Sequence, residues 1–179
     1  MKRKIHIIGA SGSGTTTIAK SVCEILSFKH FDSDNYFWEA TKEPFTIERN
    51  REECLHLMQR DLLSCNKWIL SGSLSGWGDI LIPYFDLVVF VYVPQDIRLE
   101  RLKHREYERY GDRILLGGDR YKDSKDFIEW AAAYDCGTRN GRSLLKHKAW
   151  ITKLNCPVIE VENYNLEDSV EQVIVEINK

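Results

Sequence analysis

The sequence predicts an α/β fold in three layers, a five-stranded parallel sheet with helices on both faces. Three observations carry the prediction. Short β-branched runs alternate with amphipathic helical stretches along the chain, the segment Asp86–Val93 (DLVVFVYV) is almost wholly apolar, and a glycine-rich turn joins the first strand to the first helix. With 179 residues the chain has the size of one domain, so residues 1–179 are read as a single unit.

Lys4–Ile8 is the first strand, and Ile18, Val22, Ile25 and Leu26 mark one face of the helix behind it. A second strand over Phe28–Phe31 ends at Asp32, and the spacing of Ile47, Leu55, Met58 and Leu62 predicts a helix over 46–63 with these residues inward. Trp68–Leu70 is the third strand and Asp86–Val93 the fourth, which Pro94 stops. A charged helix over 96–110, a loop over 111–119 and a helix over 125–134 follow. A strand over 157–162 and a helix over 166–177, with Val170, Val173, Ile174 and Ile177 at helical spacing, close the chain. Parallel strands joined by right-handed crossovers place a ligand crevice at the carboxyl ends of the strands. Two insertions, 34–66 and 95–156, interrupt the alternation and are the expected movable parts.

Composition excludes several classes. The net charge of −2 gives no footing for a nucleic-acid or anionic-membrane partner. No apolar run approaches the roughly 20 residues that span a bilayer. The amino-terminal apolar run is too short for a signal-peptide core, so a cytoplasmic location is expected, as monomer or homodimer. Five widely spaced cysteines without a Cys-x-x-Cys pair fit buried, reduced thiols, and the histidines show no zinc-ligand spacing. The charge is unevenly spread: residues 98–148 carry a net +4 and the remainder −6.

The turn Gly9-Ala-Ser11-Gly12-Ser13-Gly14-Thr15-Thr16-Thr17 has the strand-to-helix context of a phosphate-binding loop. Glycines let the backbone approach phosphate oxygens, and the helix start adds about +0.5 of a charge. Thr16 holds the hydroxyl position that ligates Mg²⁺, while Thr15 stands where the consensus has lysine. This loop and the strand pattern resemble the P-loop nucleoside and nucleotide kinases, of which adenylate kinase is the reference. The lysine-free Gly-Ser-Gly-Thr-Thr-Thr run is similar to that of archaeal-type cytidylate kinases. The resemblance implies a P-loop NTPase fold, ATP and Mg²⁺ as cofactors, a small-molecule acceptor bound by insertion 34–66, and a lid in 95–156.

Asp32-Ser-Asp34 follows the second strand, where alternation turns residues 32 and 34 to one side. Phosphoryl transfer needs one group to hold hydrated Mg²⁺ and another to receive or orient the proton of the attacking hydroxyl, roles that Asp32 and Asp34 can divide. The segment resembles those of shikimate kinases and of uridine and riboside kinases, and both resemblances make Asp34 the substrate-side residue. Its competing reading is a helix-capping turn. Tyr36 and Trp38 are candidates for a stacking wall, or else core residues. Ser71 and Gly72 end the third strand where shikimate-type kinases place a turn against the acceptor, or form only a flexible loop.

Arg101, Arg105, Arg109 and Arg113 recur every four residues, a pattern equally expected of a salt-bridged surface. By position they resemble lid arginines, with Arg139 and Arg142 matching the returning segment. Arg105, Arg109, Arg139 and Arg142 are thus candidates to stabilise transferring charge in place of the absent lysine. Asn163–Asn165 occupies the region that contacts adenine in related kinases, Asn165 being equally a helix cap. The expectation is an ATP-dependent kinase of a nucleoside or nucleoside monophosphate, the alternative a module that binds ATP without transferring phosphate. The guanine-specific Asn-Lys-x-Asp motif is absent.

Overall fold

The computed structural model describes residues 1–138 and 141–179. Its strands are β1 (Lys4–Gly9), β2 (Lys29–Asp32), β3 (Trp68–Ser71), β4 (Leu87–Tyr92) and β5 (Val158–Glu162), all parallel in the order β2-β3-β1-β4-β5. The apolar run takes its expected central place, with β4 paired to β1 and β5.

Alternation along the strands separates the layers. Ile5 and Ile7 of β1 and Leu87, Val89 and Val91 of β4 pack with α1 (Thr15–Leu26) and α7 (Leu166–Asn178), which bury Ile18, Val22, Val170, Val173 and Ile177. Val88 and Phe90 face the other way, toward α3 (Arg51–Leu63) and α6 (Leu144–Ile151), where Met58, Leu62 and Trp150 complete the second core. His6 lies in this second layer, fully buried, its ring stacked on Phe85 at 4.9 Å. Its Nδ1 donates to the Leu70 carbonyl at 2.9 Å, and among the described residues Nε2 has no partner. Burial lowers its pKa to about 4.

The insertions hold the remaining helices: α2 (Ser33–Phe37), α4 (Gln95–Tyr110) and α5 (Tyr121–Ala132). Several boundaries differ from expectation for local reasons. The helix predicted over 46–63 begins at Arg51, because the Asn50 side chain accepts from the backbone N–H groups of Glu52 and Glu53. Residues 46–50 instead run back along 37–39, with Arg49 N–H donating to the Phe37 carbonyl, so Ile47 is exposed. Ile25 is exposed too, since the buried face of α1 runs through Ile18, Ala19, Val22 and Cys23 and leaves Ile25 at its edge. α5 starts at Tyr121 rather than Lys125, and the loop over 111–119 contains a 3-10 turn, Gly111–Ile114. Cys23 and Cys54 are buried as expected, burial pushing the Cys23 thiol up to about 12, but Cys136 is exposed. No helix among the described residues is long and apolar enough to cross a membrane.

Candidate active site

The carboxyl ends of β1, β2 and β3 open into a cavity of about 730 Å³, lined by Gly9, Ser11, Gly12, Gly14, Thr15, Thr16 and Thr17 of the glycine-rich turn. α1 begins at Thr15 with no side-chain cap, because its N-cap residue, Gly14, has no side chain to give. The first N–H groups of the helix are therefore left for a ligand. Gly14 has φ of +91°, and a Cβ there would lie 2.4 Å from the Asn163 amide nitrogen. Asn163, at the end of β5, donates to the Ser13 carbonyl at 2.8 Å and accepts from the Ser169 hydroxyl at 3.1 Å. Asn163 thus braces the loop from beneath rather than standing ready for a base, and Asn165 caps α7. Ser13 is fully buried, its hydroxyl without a partner among the described residues, so its side chain does not face the cavity.

Asp32 and Asp34 meet at the cavity by a route other than strand alternation. Asp32 ends β2 and caps α2, its Oδ1 accepting from the Asp34 N–H at 3.0 Å. Its Oδ2 accepts from the Thr16 hydroxyl at 2.9 Å and from the Ser71 hydroxyl at 3.1 Å. Since the Ser71 proton points to Asp32, His30 Nε2 at 3.0 Å is the donor to Ser71. Ser71, expected against the acceptor, is fully buried and orients Asp32 instead, while Gly72 does line the cavity. Asp34 is exposed into the cavity, whose protein walls nevertheless surround its carboxyl. That enclosure, and secondarily Asp32, raises its pKa, against the pull of Arg142, Arg105 and Arg109.

Cationic side chains gather at the loop although Thr15 stands in the lysine position. Lys20, Arg101, Arg105, Arg109, Arg120 and Arg142 all line this cavity. Burial, and then the neighbouring Arg109, holds the Arg105 guanidinium below its ordinary value. Lys20, one turn beyond Thr16 on α1, and Arg120 escaped the sequence reading; the spacing of four from Thr16 is the signal for Lys20. Arg113 belongs instead to an exposed cluster: it pairs with Asp119 at 2.7 Å and with Glu43 at 3.6 Å, and Glu43 also binds Arg120. One carboxylate of the first insertion so joins two arginines of the second. Arg139 lies outside the described residues.

A second cavity of about 740 Å³ shares Asp34, Trp38, Phe127 and Arg142 with the first and continues past Trp77 and Trp130. Trp38 therefore stands at the junction, whereas Tyr36 does not reach either cavity. It is buried, and its hydroxyl donates to Asp61 on α3 at 3.1 Å, because α2 turns that face inward. Ser73, on this cavity's wall, is hydrogen-bonded to His147 Nε2 at 2.8 Å, and His147 Nδ1 meets the Tyr134 hydroxyl at 2.8 Å. Burial lowers the His147 pKa to about 3. Beside it, buried Arg98 pairs with Asp135 and donates through Nε to the Val93 carbonyl at 3.0 Å.

The chain is similar to known proteins. A protein-family model described as AAA domain matches residues 5–127. The chain is 47% identical over 175 residues to the uncharacterized protein YqaC of Bacillus subtilis, covering 97% of each. It is 31% identical over 114 residues to the cytidylate kinase of Archaeoglobus fulgidus, covering 58% of this chain and 62% of that one. The structure of shikimate kinase from Bacteroides thetaiotaomicron superposes over the full length of both chains with a TM-score of 0.61 at 19% identity, a likeness of fold. The five-stranded parallel sheet with helices on both faces agrees with the likeness of fold, and the chain belongs to the AAA domain family and is a P-loop small-molecule kinase.

Proposed function

We propose that this phosphotransferase moves the terminal phosphoryl group of ATP to a nucleoside or nucleoside monophosphate. The observation that carries the reading is the junction at Asp34, where a cavity lined by the phosphate loop and six cations adjoins a second one walled by Trp38, Trp77 and Trp130. The relatives point the same way, cytidylate kinases acting on a nucleotide. The donor phosphates lie on the loop 9–17, against the N–H groups at the start of α1. Insertion 34–66 presents the acceptor through Asp34, Trp38 and Gly72, and region 95–156 acts as the lid.

Thr16 and Asp32 suit Mg²⁺, since both offer hard oxygen donors a hydrogen bond apart at the mouth of the loop. That agrees with an ion held by few protein ligands and by substrate phosphates. When bound it neutralises charge on the phosphate oxygens. Ser71 and the Asp34 N–H keep the Asp32 carboxylate turned to the loop. Asp34 orients the acceptor hydroxyl and receives its proton, and for a phosphate acceptor it serves only to bind. Arg105, Arg109 and Arg142 stabilise the transferring charge, with Arg139 assigned the same part by its position in the sequence.

The test is a transfer screen with purified protein, Mg²⁺, labelled ATP and a panel of nucleosides, nucleoside monophosphates and sugar-like hydroxy acids. A labelled nucleotide product is expected. Tight ATP binding with no labelled product across the panel would instead identify a sensor, and a labelled hydroxy acid would reassign the acceptor.

A further inference from the structure

The wall of the cavities carries a feature that these roles leave unused. Phe127 and Trp130, on α5, lie ring over ring with centroids 6.1 Å apart and planes inclined by 21°. The Arg105 guanidinium, from α4, lies 5.8 Å from the Phe127 centroid, and that of Arg142 lies 5.0 Å from the Trp130 centroid. The contacts thus run from cation to ring to ring to cation. Both arginines line the first cavity, and both act on the Asp34 carboxyl.

The chain returns to this stack by design of its backbone. Gly141 has φ of +96°, and a Cβ there would lie 3.5 Å from the Trp130 indole nitrogen, so the turn that delivers Arg142 is laid against the ring. A free arginine samples many rotamers and loses them on meeting a phosphate. A guanidinium resting by its face on an aromatic ring is held without using its N–H edges, which stay free to donate to oxygen.

We propose that Phe127 and Trp130 are positioning residues for phosphoryl transfer. Their stacked rings hold Arg105 and Arg142 as a preset pair of donors for the terminal phosphate, supplying from the cavity wall the charge that Thr15 does not. The proposal rests on the phosphotransferase reading and on the part given there to the arginines. A different role for the rings, stacking an acceptor, would alter acceptor binding alone.

The measurement is therefore made without acceptor: calorimetric titration of the full chain with Mg²⁺-ATP and with Mg²⁺-ADP, and the ratio of the two dissociation constants. Trp130→Leu and Arg142→Ala are expected to reduce the preference for ATP over ADP roughly five- to tenfold with ADP affinity little changed, and Trp130→Phe to keep most of it. Phe127→Leu probes the same stack from the Arg105 side and is expected to act like Trp130→Leu; melting curves verify that each variant is folded. Wild-type behaviour of both leucine variants beside an impaired Arg142→Ala would overturn the positioning role while leaving the arginine assignment standing. Wild-type behaviour of Arg142→Ala would overturn that assignment and the stack with it. Equal loss in Trp130→Phe and Trp130→Leu would show that the ring is not what holds the arginine.

Discussion

Asp34 sits under opposing influences. Its enclosure and the nearby Asp32 favour the protonated acid, the arginines around it favour the carboxylate, and the balance leaves the pKa raised. As pH falls, then, Asp34 takes up its proton earlier than an ordinary aspartate, near pH 4, would. If the carboxylate must receive the acceptor's proton, the acid limb of a kcat/KM profile should lie above the usual carboxylate range. Arg142→Ala removes one of the groups holding that pKa down and should carry the limb further upward. Asp34→Asn should lower turnover at least about 100-fold while ATP affinity, measured by titration, stays within about twofold of wild type. The carboxylate pair and the phosphate loop were legible in the sequence because their chemistry depends on residue type and local order. Side-chain direction was not: Tyr36 and Ser71 lie within a few residues of true cavity positions, yet one turns to Asp61 and the other to Asp32. Sequence neighbourhood identifies the loop, and packing selects the face.

Among the elements, the start of α1 depends on the end of β5. Asn163 reaches 150 positions back to hold the Ser13 carbonyl, and Gly14 leaves the space its amide occupies. Gly14→Ala should cut ATP affinity by tenfold or more, since the new Cβ meets both the Asn163 amide and a backbone conformation that L residues rarely adopt. Asn163→Ala should weaken binding through the same loop with its glycine intact, and titration of the two variants with ATP checks both. No local pattern in the sequence announces this link, because its partners are far apart in the chain. By contrast, whereas β2, Lys-His-Phe-Asp, has no apolar run, the central strands were recoverable from theirs. The short α2 was not, since five residues are too few to show a helical period, and the late start of α3 reflects a cap at Asn50 that the apolar pattern beginning at Ile47 overran.

For the whole molecule, two fully buried histidines couple folding to acidity. His6 and His147 have pKa values of about 4 and about 3, against about 6.5 in an unfolded chain. Both are depressed, so the stability they permit is complete above pH 6.5 and declines as pH falls toward those values, where only the unfolded chain binds the extra protons. Urea midpoints should therefore drop steadily from pH 7 to pH 5, and His147→Gln should reduce the slope of unfolding free energy against pH by about one proton. Neither imidazole could be placed in the core from sequence, where a histidine is compatible with surface or interior alike. On the surface, Glu43 of the first insertion grips Arg113 and Arg120 of the second. If region 95–156 is the lid proposed above, this link ties it to the first insertion and would have to part for a spent nucleotide to leave. Turnover would then be paced by departure of product. Being exposed and ionic, the link weakens with salt, so moderate ionic strength, or Glu43→Gln, should quicken ADP release in a stopped-flow displacement assay while leaving the rate of the chemical step unchanged.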